Sequence, residues 1–216
     1  MEALKEKTSV DVPSVFDPMR RFFDTGSTLE YRYRMSQLKK LEEAIKRNEK
    51  EILEALRSDL KKSDMEGYMT EVSVVLEEIK YLRKNLKEWM KPKSRNTPMA
   101  MQPSTTTMRY EPKGVALIIA PWNYPFQLLM DPLAGAIAAG CCAVLKPSED
   151  APATAKISED IIKEIFDPSY VNVVQGLGHE VVPELMDNAT FNHVFFTGSP
   201  QVGSIIAKAA AEKLTS

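Results

Sequence analysis

The sequence predicts an α/β protein: a parallel sheet of β-α units over residues 114–216, preceded by a helical region over 1–90 and an extended arm or hairpin over 91–113. Three features of the chain predict it. Apolar residues recur at steps of three, four and seven through the charged N-terminal part, the spacing of one buried face on each helix. That period vanishes in a segment rich in proline and threonine. After Gly114, short apolar runs alternate four times with amphipathic stretches, the pattern of parallel strands with helices on both faces.

In chain order, the first apolar stripe comprises Leu38, Leu41, Ile45, Ile52, Leu56 and Leu60, and the second Val72, Val75, Leu76, Ile79, Leu82 and Leu86. No chemical group interrupts either stripe, so both read as packing faces. Residues 91–113, "KPKSRNTPMAMQPSTTTMRYEPK", carry four prolines and three consecutive threonines. Proline fixes φ and lacks a donor, so this part reads as an extended arm or hairpin between two regions. The units that follow are "GVALIIA" with "FQLLMDPLAGAIAAG", "CAVLK" with "APATAKISEDIIKEIF", "YVNVVQG" with "EVVPELMD", and "HVFFTG" with "PQVGSIIAKAAAEKL".

Composition narrows the function classes. A chain of 216 residues, 44% hydrophobic and 27% charged, can bury a sizeable core, and a formal charge of −2 gives no general attraction to a phosphate backbone. The basic patch "KEWMKPKSR" holds a single aromatic and reads as a solvated helix end, so no nucleic-acid partner is expected. "MEALKEKTSVDVP" lacks a signal-peptide core and the apolar stretch 133–145 falls short of a bilayer span, which predicts a cytoplasmic, reducing setting. The neighbours Cys141 and Cys142 cannot form an ordinary disulfide, and His179 and His193 stand in no ligand spacing with them, so no metal is expected.

In an open parallel sheet, ligands bind beyond the carboxyl ends of the strands, where loops converge with helix N-termini. Here the four ends read "APWNYP", "KPSED", "QGLGHE" and "FTGSPQVG", all polar or glycine-rich. Pro121 and Pro125 prevent a simple continuation of strand or helix and make a stiff corner holding Asn123. Lys146 and Glu149 can hold the vicinal hydroxyls of a ribose, one donating and one accepting, or can form a surface ion pair. "GLGHE", with Gly176 and Gly178, begins like a dinucleotide fingerprint without its third glycine and fits a tight turn equally. "GSPQVG" lacks the Lys-Ser or Lys-Thr of an ATP phosphate loop, but it can open a helix at Gly198 and Ser199, where N–H groups and the helix dipole favour a pyrophosphate. Ser199 can also cap that helix, and the two roles are compatible.

"APWNYPF", "GAIAAG..AVLKPSE" and "FTGSPQVG", in this order and at these distances, resemble the NAD(P)-dependent aldehyde dehydrogenases, and the wording is most similar to the class 3, fatty-aldehyde-type branch. The resemblance is strongest over residues 110–214. It implies a Rossmann-like fold, of which residues 114–216 would be the first half of the nucleotide-binding domain. It implies NAD as cofactor with NADP possible, a small-molecule aldehyde as substrate, and a homodimer. By the same resemblance Lys146 and Glu149 bind the adenosine ribose, Ala120 and Trp122 line the cofactor cleft, and Gly198, Ser199 and Gly203 lie near the pyrophosphate. Ser148, Gly176, Gly178, Thr197 and Val202 complete the cofactor-binding set in the same loops. Asn123 becomes the catalytic donor to the oxyanion formed when a cysteine thiolate attacks the aldehyde, ahead of hydride transfer and thioester hydrolysis. Its alternative is an asparagine that closes the turn through its own backbone.

The glutamate base and cysteine nucleophile of that scheme belong to Glu-Leu-Gly-Gly and Gly-Gln-x-Cys segments, and neither occurs in residues 1–216. Cys141 and Cys142 do not replace the nucleophile, since they stand at a helix C-terminus and a strand start, ~13 Å from the strand's far end at ~3.3 Å per residue. The chain therefore reads as an N-terminal portion that is inactive alone. Two alternatives stay open: an acyl-CoA or acyl-phosphate reductase on the same scaffold, and a non-catalytic dinucleotide-binding or interaction protein. Glu149 beside a ribose would repel a 2′-phosphate, so NAD is expected to bind better than NADP.

Overall fold

The computed structural model describes residues 10–216, and the reading of residues 1–9 lies outside the described residues. The chain opens with α1 (Val12–Asp24), α2 (Tyr31–Arg47) and α3 (Glu49–Leu60). α4 (Asp64–Gly67) then runs through a π-helical turn, Tyr68–Val72, into α5 (Ser73–Trp89). Both apolar stripes are turned inward. Leu38, Leu41, Ile45, Ile52, Leu56, Val72, Val75 and Ile79 are fully buried, each stabilising the fold by roughly 1.5–3 kcal/mol relative to exposure.

α1 begins earlier than the stripes indicate. Asp11 accepts the Ser14 N–H at 3.3 Å and Pro13 occupies the first turn, where a missing donor is harmless. Val12 and Met19 are buried, and the helix packs on the sheet and on a later helix.

Residues 91–113 contain β1 (Lys93–Arg95) and β2 (Thr106–Met108), an antiparallel pair in the register Lys93↔Met108 and Arg95↔Thr106. After it come β3 (Val115–Ile119), α6 (Gln127–Ala139), β4 (Cys142–Lys146), α7 (Pro152–Ile165), β5 (Val171–Val173), α8 (Gly178–Asn188), β6 (His193–Phe196) and α9 (Pro200–Glu212). The four later strands form one parallel sheet in the order β5-β4-β3-β6. β3 and β4 are buried along their whole length.

α6 packs on β3 and β4 and α7 on β5, with α2, α3 and α5 stacked outside these two helices. α1 contacts β3, β4 and α8, and α8 contacts α9, which lies against β6. Right-handed crossovers put α6 and α7 on one face and leave the other to α1, α8 and α9.

Arg34 of α2 joins the helical region to the sheet. Its guanidinium donates to Thr28 O at 2.8 Å and to Ala138 O at 3.1 Å, satisfying a carbonyl at the C-terminus of α6. Gly140, at φ +84°, ends that helix, and a Cβ there would come within 2.6 Å of the Arg34 guanidinium. Only glycine suits both the turn and the close approach. At the other edge, the α6-side face of β6 is open, and a groove of about 800 Å³ lined by Leu82, Leu86, Leu128, Pro132, Ile118 and Phe195 runs beside it. Among the described residues, no helix is long and apolar enough to cross a membrane.

Candidate active site

The register aligns the strand ends. Ile119 stands opposite Lys146 on one side and Phe196 on the other, so the loops after β4, β3 and β6 leave the sheet side by side. The chain moves outward from β3 through β4 to β5 and then returns to β6 on the far side of β3. Strand order therefore reverses between β3 and β6, where open α/β sheets carry their ligands.

Ala120 extends β3, donating its N–H to Lys146 O at 3.1 Å, and is buried. Beyond Pro121 the corner turns outward: Trp122 is 54% exposed and Asn123 is exposed. The corner is held from beneath. Lys62 Nζ donates to the Asn123 main-chain O at 3.1 Å and sits 4.0 Å from the centroid of the Tyr124 ring. Glu71, fully buried, accepts from Lys62 at 2.5 Å, from Phe126 N–H at 2.9 Å and from Gln127 N–H at 3.2 Å, satisfying orphan donors at the start of α6. Neither residue was a sequence-level candidate. A signal existed for Glu71, which lies in i, i+4 register with buried Val75 and thus in the second apolar stripe.

One strand away, Lys146 at the end of β4 is 1% exposed and donates to Pro147 O at 2.9 Å and to Glu149. Glu149 accepts in addition the Gly178 N–H at 2.6 Å, tying the β4 loop to the start of α8, while its side chain keeps 31% exposure. Burial works against the Glu149 charge, but the Lys146 ammonium and the Gly178 N–H outweigh it and hold the carboxyl below the usual range. The two predicted ribose ligands are thus brought together, with the carboxylate facing solvent and the ammonium beneath it. Ser148 is buried, and its hydroxyl accepts the Asp150 N–H at 3.3 Å. Gly176 lies in the partly exposed turn after β5.

On the other side of β3, Thr197 donates its N–H to Ile119 O at 3.1 Å and leads into α9. Ser199 is the N-cap of that helix, its Oγ accepting the Val202 N–H at 3.3 Å, with Pro200 in the first turn. Gly198 and Ser199 are exposed, as is Val202, while Gly203 is partly buried against Phe196. A Cβ on Gly198 would stand 2.5 Å from the tip of the Phe196 ring, so glycine lets the loop lie across that ring.

Cys141 and Cys142 are free and buried at the opposite end of β4 from Lys146, and burial pushes the Cys142 thiol up to about 12. Among the described residues, no group of three or more His, Cys, Asp or Glu side chains could hold a metal ion.

The sequence model of the aldehyde dehydrogenase family matches residues 1–216. The chain belongs to the aldehyde dehydrogenase family. Its class 3 homologues include aldehyde dehydrogenase family 3 member H1 of Arabidopsis thaliana, 41% identical over 215 residues, which cover 100% of this chain and 44% of that protein. The structure described as the substrate-bound state of Staphylococcus aureus AldH superposes with a TM-score of 0.89 at 44% identity, over 96% of this chain and 45% of that one. Betaine aldehyde dehydrogenase of Staphylococcus aureus, solved in complex with NAD+, superposes at 0.83 and 26% identity, over 95% of this chain and 41% of that one. The helical region followed by the parallel sheet is thus the architecture of an aldehyde dehydrogenase Rossmann-like domain. The chain spans 43–44% of the length of curated relatives that it matches.

Proposed function

We propose that this chain supplies the oxyanion corner and the dinucleotide cleft of an enzyme that oxidises an aldehyde to a carboxylic acid with NAD. The observation that supports this is that the loop carrying Asn123 and the loop opening α9 leave the neighbouring strands β3 and β6, between which strand order reverses, with the Lys146–Glu149 pair one strand away. The donor set suits a dinucleotide. A solvent-facing carboxylate can accept from a ribose hydroxyl, and the first turn of a 13-residue helix offers N–H groups and a favourable dipole to a pyrophosphate. The related betaine aldehyde dehydrogenase binds NAD+. Bound NAD would supply the hydride acceptor.

Asn123 presents a neutral amide donor on a corner fixed through its main chain, aimed at charge that develops on a carbonyl oxygen. Such a donor is worth ~2.7–4 kcal/mol of barrier. Trp122 forms the exposed wall of the cleft, and Ala120, Thr197, Gly198, Val202 and Gly203 form its floor and far side. Lys146 keeps Glu149 ionised, and that charge disfavours a 2′-phosphate, so NAD binds more tightly than NADP. The nucleophile and the base come from the Gly-Gln-x-Cys and Glu-Leu-Gly-Gly segments that residues 1–216 do not contain. Buried Cys142, with its thiol at about 12, does not stand in for the nucleophile.

Calorimetric titration of NAD into the chain tests the cleft. Saturable binding, weakened about tenfold by Glu149→Gln through the loss of one charged hydrogen bond, is expected. No binding at millimolar NAD sinks the proposal, and aldehyde-dependent NADH formation by residues 1–216 alone would overturn the placement of the nucleophile. The same proposal takes the β1–β2 hairpin as a dimer arm, because a lone two-stranded hairpin is marginal in water and this one carries Met99 in its loop and Tyr110 just after β2, 91% and 65% exposed. A monomeric mass in sedimentation at micromolar protein would count against the arm.

A further inference from the structure

We infer that Lys62 and Glu71 are positioning residues for Asn123, which they aim through the main chain of the Pro-Trp-Asn-Tyr-Pro corner; this rests on Asn123 being the oxyanion donor. An asparagine amide is joined to its backbone by two torsions, so its direction follows the peptide planes on either side of it. Lys62 grips the carbonyl of Asn123 and thereby the plane between Asn123 and Tyr124. Glu71 holds the N–H groups of Phe126 and Gln127, the first two beyond Pro125. Together the two side chains clamp both ends of the segment 123–127, whose Asn123 and Tyr124 are exposed. Bonds between a charged group and the backbone are stronger than neutral ones, and this pair is sealed from water, with side-chain exposures of 9% and 0%.

Two irregularities of the backbone bring the pair to the corner. Lys61 ends α3 in the left-handed region at φ 59°, uncommon for a residue with a side chain, and this reverses the chain immediately before Lys62. The π-helical turn Tyr68–Val72 carries Glu71, and single π turns inside α-helices occur often at functional sites. A buried ion pair is a weak source of stability, because an apolar pair of similar volume does about as well. Its more specific contribution here is the direction of a main chain that other packing leaves at the surface.

The clamp can be read in this chain by NMR and in the intact enzyme by kinetics. In the 15N-labelled chain, Lys62→Met is expected to loosen the backbone at Asn123 and Tyr124, with order parameters falling from about 0.85 to below about 0.6 while the sheet keeps its own. Lys62→Arg, which can still reach the carbonyl, restores most of that order. The charge-balanced pair Lys62→Met with Glu71→Gln is made as well, so that a folding defect of the single variant does not decide the matter. An Asn123 as rigid in these variants as in the parent, or a loss of order spread evenly over the fold, overturns the inference.

In the intact enzyme, kcat is expected to fall about 100-fold with the KM for NAD unchanged, as displacing a reacting group by ~1 Å can do. The loss should vanish when Asn123 is already alanine, because the two changes act through one group. Additive losses overturn the positioning role. If Asn123→Ala leaves kcat unchanged, the oxyanion assignment fails instead, and the NMR result on the clamp stands by itself.

Discussion

Two lysine–glutamate pairs sit near the carboxyl ends of the sheet, and they differ in what surrounds them. Lys62–Glu71 joins the helical region to the loop after β3, is sealed at both ends, and directs its remaining hydrogen bonds to main chain 55–61 residues away. Lys146–Glu149 is local, three residues apart, with its lysine buried and its carboxylate partly open to water. The first pair is shut off from solvent, so no ligand reaches it and it can only hold. The second keeps a charged oxygen at the surface and can bind. Ion pairs of the same composition are thus divided between support and recognition by burial and by the sequence distance of their partners.

The largest effect that separates them is expected from Glu71→Ala. It leaves Lys62 buried without its counter-ion and strips the acceptor from Phe126 and Gln127 N–H, so a loss of about 3–5 kcal/mol is expected. Urea unfolding of the chain measures it, and a loss below about 1 kcal/mol would erase the distinction between the pairs.

The same contrast explains what the sequence made legible. Lys146 and Glu149 could be paired by reading along the chain, because they flank a proline at the end of an apolar run and need only three residues of separation. The four β-α units were legible for the same reason: a strand buried on both faces is a short apolar run, and "CAVLK" coincides with β4. Lys62 was not legible, since in "LKKSDMEG" it looks like any solvated lysine after a helix, and its partners are set by tertiary packing. α1 was legible only as part of the helical region, since its Pro13 and Pro18 resemble helix breakers, although Pro13 sits in the permissive first turn. The direction of Ser148, which faces its own turn, was hidden as well, because its side-chain period is that of a loop.

A smaller effect sharpens the contrast with a support that is purely local. The Ser199 side chain holds the start of α9 through Val202 N–H alone, so Ser199→Ala should cost about 1 kcal/mol, the usual worth of a helix N-cap. Thermal unfolding measures it. A loss as large as that of Glu71→Ala would mean that the α9 corner also depends on distant partners.

The smallest effect is expected at the open pair, and it depends on pH. Glu149 is held below its ordinary value of 4.5 in the fold, with burial opposing and the Lys146 and Gly178 hydrogen bonds prevailing. A carboxyl whose folded pKa is depressed contributes stability that is fully present above its unfolded value and is lost as pH falls through the folded one. Replacing it by Gln, which still accepts the Gly178 N–H, should therefore lower stability at neutral pH by no more than about 1 kcal/mol, the range of solvent-facing pairs. Below pH 4.5 the difference between the parent and Glu149→Gln should shrink, and it should close once the parent carboxyl is protonated in the fold as well. Urea midpoints of both proteins across that range measure it. A difference that stays constant with pH would mean that Glu149 holds Gly178 as a neutral acceptor does, and that its charge is not what sets it apart from the sealed pair.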